Sequence, residues 1–123
     1  MWFNMEHNCI CVTDLDRTIH FYEEALQMSV VRRKQASDRE IVFLGGGKSA
    51  HTIEVIRMHD HPERYQLGEN PTHLAFRTDN IEEAMQFHKK LGCFDHELPE
   101  FGVYFIADPD GYLCEIMPTR KKS

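Results

Sequence analysis

A chain of 123 residues with 41% hydrophobic content is long enough for one domain with an ordinary core, which argues against a disordered polymer. Its formal net charge of -6 and scattered Lys and Arg argue against a nucleic-acid partner, because phosphate neutralisation needs clustered cations. No apolar run approaches a membrane span, and Met1 to Met5 lacks a charged start with a following apolar segment, so a cytoplasmic protein with no membrane partner is expected.

Glu6 to Thr13 reads as a short strand with His7, Cys9 and Cys11 on one face. Thr13, Asp14 and Asp16 supply cap-type side chains for a helix whose Leu15, Ile19, Tyr22 and Leu26 recur at helical spacing, ending near Gln27. Ser29 to Lys34 and Glu40 to Leu44 are expected strands, and Gly45 to Gly47 a hairpin turn. His51 to Arg57 is a further strand, with Thr52, Glu54 and Ile56 on one face. Met58 to Pro71, rich in Pro, Gly and polar residues, reads as a connection.

The pattern then restarts. His73 to Arg77 is an expected strand, and Thr78 and Asp79 mark a helix start, with Asp79 as the cap matching Asp14. Ile81, Ala84, Met85, His88 and Leu91 form the apolar face, and Gly92 stops the helix. Val103 to Ala107 and Tyr112 to Met117 are strands, with a shorter one around Phe94 to Leu98. Each half opens on a strand carrying a histidine and closes on one carrying a glutamate. His7 to Glu54 spans 47 positions and His73 to Glu115 spans 42, so internal duplication is the economical explanation. The expected fold is α+β, with two βαβββ modules forming curved mixed sheets around a cup-shaped site. The modules cover about 6–57 and 72–117 within a single domain over 1–123.

Pro109 and Gly111 make a tight turn before the last strand. Glu115 leaves that turn among Leu113, Cys114, Ile116 and Met117, and a carboxylate in such company is misassigned, paired, or bound to a cation. Duplication places His7, Glu54, His73 and Glu115 at related positions, where two imidazoles and two carboxylates suit a divalent first-row metal with positions left open. The four cysteines, Cys9, Cys11, Cys93 and Cys114, show no CxxC spacing and are expected to be buried reduced thiols. His51, His59 and His61 read as connection residues, and His20, His88 and His96 as helix or loop residues without carboxylate partners at ligand spacing. Arg77, on the face of His73, either reaches an anionic substrate or ends an exposed strand. Arg120, Lys121 and Lys122 read as a solvated tail.

The chain resembles the vicinal oxygen chelate superfamily, and within it the glyoxalase I (lactoylglutathione lyase) group. The match is carried by His7 with Val12 to Asp16, by Phe21, Tyr22, Leu26 and Met28, by Glu54, by Tyr65 to Gly68 ahead of His73, and by Asp108 to Tyr112 leading to Glu115. The resemblance implies that His7, Glu54, His73 and Glu115 bind a divalent metal, nickel or cobalt rather than zinc, with zinc possible. It makes Glu115 the leading candidate for proton transfer and Glu54 its counterpart, in a homodimer with shared sites. The implied reaction converts a 2-oxoaldehyde–thiol hemithioacetal to a 2-hydroxyacyl thioester through an enediolate chelated by the metal.

Glutathione users of the group carry an Arg where Cys11 stands and an Asn shortly after the first glutamate, where Val55 to Met58 run. They also have a longer closing loop than Cys93 to Gly102, so glutathione itself is not implied. Other activities of the scaffold are an epimerase, a fosfomycin-type thiol transferase and a metal-free small-molecule-binding resistance protein. Glu54 counts against the first, a fourth ligand against the second, and retention of the ligands against the third.

Overall fold

A computed structural model describes residues 1–120, so Lys121 and Lys122 of the expected tail lie outside the described residues. The chain divides into two units, Met1–Gln66 and Leu67 onward. In the first, β1 (His7–Cys11) leads into α1 (Leu15–Leu26), followed by β2 (Ser29–Gln35), β3 (Arg39–Gly45) and β4 (Thr52–Met58). The second repeats this with β5 (His73–Thr78), α2 (Ile81–Leu91), β6 (Phe94–Leu98), a 3-10 turn at Pro99–Phe101, β7 (Val103–Ala107) and β8 (Leu113–Pro118). The sheets have strand orders β1-β4-β3-β2 and β5-β8-β7-β6. In each, the opening strand runs parallel to the closing one and the other pairs are antiparallel. The α+β class with two βαβββ modules is therefore present.

Alternation decides which side chains each sheet buries under its helix. In the first unit Ile10, Val12, Val42, Leu44, Ile53 and Val55 share the helix side and are buried, along with Leu15, Ile19 and Tyr22 of α1. The opposite face carries its own apolar cluster of Ile41, Phe43 and Ile56, packed by Cys11 and Met58. In the second unit Tyr104, Ile106, Cys114 and Ile116 are buried on the helix side. The apolar face expected for α2 is thinner than its sequence suggests. His88 is its one buried residue, while Phe87 and Leu91 are exposed. The His88 ring reaches inward, with Nδ1 lying 2.6 Å from the Tyr104 hydroxyl. Burial holds the Tyr104 phenol well above its usual range, so that it stays neutral and able to donate.

Both helices begin at a side-chain cap. Asp14 Oδ1 accepts from the Arg17 amide at 3.0 Å. In α2 the cap is Asn80, not Asp79: Asn80 Oδ1 accepts from the Glu83 amide at 3.2 Å, and its Nδ2 donates to Glu83 Oε2 at 3.1 Å. The internal frame explains the correction, since seven positions separate His7 from Asp14 and His73 from Asn80 alike. At the other end of α2, Gly92 takes φ 83, a left-handed conformation that suits glycine.

The turn after β7 is held by Asp108, whose Oδ1 accepts from the amides of Asp110 and Tyr112, both at 2.9 Å. Pro109 and Gly111 (φ 95) shape this turn, and the Asp108 carboxylate pins it.

The cap assignment has a direct test in urea denaturation. Asn80→Ala is expected to lower stability by about 1 kcal/mol, while Asp79→Ala stays within about 0.5 kcal/mol of the parent.

Candidate metal centre

The parallel pairing of opening and closing strands sets the geometry of the candidate residues. In the first unit Cys9 lies opposite Glu54, placing His7 one step along the same face, diagonal to Glu54. In the second, Ala75 lies opposite Glu115 and His73 takes the same diagonal position. Diagonal neighbours on one face are within reach of long side chains. His7 Nε2 stands 3.7 Å from Glu54 Oε1, and His73 Nε2 stands 3.1 Å from Glu115 Oε1. The carboxylates are the more sheltered partners, 17% and 19% exposed, against 33% and 38% for the imidazoles.

Each imidazole is braced by the same aromatic ring position. Phe43 lies opposite Glu54 and Phe105 opposite Glu115. His7 meets Phe43 edge-on at 5.4 Å between centroids, and His73 meets Phe105 edge-on at 5.0 Å. The phenyl rings limit imidazole rotation and keep Nε2 turned to the carboxylate. His7 Nδ1 lies 3.3 Å from Glu6 Oε1, a position from which a carboxylate fixes the tautomer with the lone pair on Nε2.

This donor chemistry fits a divalent cation. Two ligands of one first-row ion, each about 2.1 Å from it, stand roughly 3.0 to 3.4 Å apart at octahedral to tetrahedral angles. The His–Glu separations of 3.7 and 3.1 Å lie close to that span. Among the described residues, however, no group of three or more His, Cys, Asp or Glu side chains is placed to hold a metal ion. The structure brings His7 to Glu54 and His73 to Glu115, and each unit supplies a pair.

Several neighbours differ from the sequence reading. Cys9, expected to be buried, is exposed beside Glu54, while Cys11 and Cys93 are partly buried and Cys114 is fully so. The reason is parity, because the helix side of β1 belongs to Asn8 and Ile10. Exposed as the residue is, partial desolvation of its sulfur by the surrounding strands comes first, and with Cys11 and Glu54 it pushes the Cys9 thiol up to about 12. His96 lies on β6, and it has a carboxylate partner, with Nδ1 2.6 Å from Asp95 Oδ2. Its ring stacks on Phe105 at 4.6 Å. His20 is paired with Glu24 at 2.8 Å, across one helical turn and away from the His–Glu pairs in sequence. The Arg77 guanidinium donates to the Pro118 carbonyl at 2.8 Å. On the first unit, the Arg32 guanidinium carbon sits 4.1 Å over the centre of the Phe43 ring. Sequence reasoning missed the two phenylalanines and Arg32, although strand alternation read across paired strands would have found them.

Residues 4–116 match the Glyoxalase/Bleomycin resistance protein/Dioxygenase superfamily. A lactoylglutathione lyase of Neisseria meningitidis is 30% identical, over 95% of this chain and 90% of its own length. A probable lactoylglutathione lyase of Synechocystis is 28% identical, over 94% of this chain and 95% of its own. The solved glyoxalase I of Leishmania major, described as trypanothione-dependent, superposes with a TM-score of 0.85 at 31% identity, covering 95% of this chain and 87% of that one.

The raised Cys9 thiol is expected to slow its chemistry despite its exposure. In the metal-free protein at pH 8, mass spectrometry should show iodoacetamide labelling Cys9 far more slowly than an unhindered thiol, with the rate still climbing above pH 10.

Proposed function

The chain belongs to the glyoxalase/bleomycin resistance protein/dioxygenase superfamily, and from that premise we propose that it is a metal-dependent glyoxalase I-like lyase, isomerising the hemithioacetal of a 2-oxoaldehyde and a thiol to a 2-hydroxyacyl thioester. The observation that carries this reading is the repeated His–Glu pair, built on the same diagonal of the same parallel strands in both units. His7, Glu54, His73 and Glu115 together are the proposed ligand set for one divalent ion, nickel or cobalt ahead of zinc. A homodimer is the proposed assembly and the cytoplasm the proposed location. Four free cysteines are consistent with a reducing compartment.

The proposed chemistry follows from what these side chains can do. When bound, a divalent cation offsets the negative charge that builds on two adjacent oxygens of an enediolate. Glu115 removes the proton from the carbon bearing sulfur and returns it to the neighbouring carbon, so the reaction is an isomerisation with no redox step. Glu54 is its counterpart from the other half. Phe43 and Phe105 hold His7 and His73 in place while the carboxylates work.

Elemental analysis of the purified protein should find one nickel or cobalt ion per chain, with metal-depleted protein regaining methylglyoxal-dependent turnover on reconstitution. Glu115→Gln is expected to lower turnover by about 10² to 10⁴-fold with an unchanged circular dichroism melt, and undiminished turnover would remove Glu115 as the base.

A further inference from the structure

Cys9 and Cys11 stand two positions apart on β1, so their side chains leave the same face of the strand, the face that carries His7 and Glu54. The Cys9 thiol lies within hydrogen-bond reach of both the Cys11 sulfur and the Glu54 carboxylate. Cys9 is exposed, while Cys11 is partly buried and packs against the apolar cluster of Ile41, Phe43 and Ile56. One sulfur is thus open to solution and its neighbour is backed by a dry wall. The second half has no counterpart, because the positions matching Cys9 and Cys11 hold Ala75 and Arg77. The dithiol is an addition to the repeated His–Glu pattern and not a part of it.

We propose that Cys9 and Cys11 form a two-coordinate site for a soft monovalent cation, copper(I), distinct from the site of the His and Glu residues. Two positions along a strand separate Cα atoms by about 6.6 Å, at the far end of the separations a disulfide bridges. Drawing the sulfurs together to the roughly 2.05 Å of a disulfide would strain β1. An ion held linearly between them instead needs about 4.6 Å, twice a metal–sulfur bond of roughly 2.3 Å, which suits two thiols standing side by side. Thiolates select Cu(I), whereas carboxylates favour harder ions. A linear ion is complete with two ligands, so it needs no third His, Cys, Asp or Glu side chain, and among the described residues no group of three is placed to hold a metal. Each thiol releases its proton as its bond to copper forms, and no electron is transferred, because the metal enters as Cu(I). Cys9 then has no S–H to offer Glu54, so loading reaches the His7–Glu54 pair through that carboxylate. The site stands apart from the glyoxalase-type reading, since it requires neither turnover nor a second metal.

Anaerobic competition of the whole reduced chain against the copper(I) chelator bathocuproine disulfonate tests the site. The wild type should withdraw one Cu(I) per chain, and X-ray absorption should find two sulfur neighbours around it. Cys9→Ser and Cys11→Ser should each weaken copper binding by more than about a hundredfold, beyond the roughly ten- to hundredfold that losing a supporting residue costs. Cys93→Ser and His7→Ala should keep the wild-type affinity. Circular dichroism melts establish that each variant is folded, and if Cys11→Ser is not, Cys9→Ser, at the exposed sulfur, decides alone. Failure of the wild type to hold copper against the chelator overturns the site, as does undiminished binding in a folded serine variant. Nitrogen neighbours around the copper, with binding lost in His7→Ala, would move the ion to the His–Glu residues and overturn it equally.

Discussion

A parallel strand pair repeated in two halves governs this molecule. Because β1 runs alongside β4 in the same direction, and β5 alongside β8, the histidine of each opening strand lies diagonal to the glutamate of each closing strand. A one-residue slip would turn both side chains to the helix side, where Val55 or Ile116 now sits, so the buried apolar residues under each helix fix the chemistry on the far face. The packing that makes the fold stable and the register that brings histidine to glutamate are therefore one constraint.

The two faces of each sheet divide the work. Under the helices lie fully buried residues such as Tyr22, Val12, Leu44 and Val55 in the first half, and Tyr104, Ile106 and Ile116 in the second. On the opposite face, phenyl rings at matching positions brace imidazoles, and beyond them sit a guanidinium in one half and an imidazole in the other. The halves share a skeleton and differ at its margins. Cys9 faces Glu54 where Ala75 faces Glu115, and Arg32 covers Phe43 where His96 covers Phe105. The His–Glu pairs stand at matching positions in the two halves while their surroundings differ.

Much of this was legible in the sequence because it rests on periodicity. Strand alternation placed His7 with Cys9 and Cys11, and Thr52 with Glu54, on the faces where they are found, and the short strand expected around Phe94 to Leu98 is present. What periodicity does not carry was harder to see. Asp79 and Asn80 are both competent caps, and only backbone direction selects the one whose oxygen meets the Glu83 amide. Exposure of Cys9 depends on which face of β1 the helix packs against, which composition does not reveal. The His96–Asp95 contact joins adjacent residues at 2.6 Å through side-chain rotamers alone.

The Asp108 turn and the strand order have a consequence for the order of events during synthesis. In each half the strand bearing the glutamate is the last to be made, yet it must insert between the opening strand and its antiparallel neighbour. Closing so long a loop is entropically slow compared with forming the local hairpin. The emerging chain thus carries its imidazole early and gains the matching acid only on completing each sheet. Possession of a finished His–Glu pair therefore marks the moment at which that half has threaded its last strand into place.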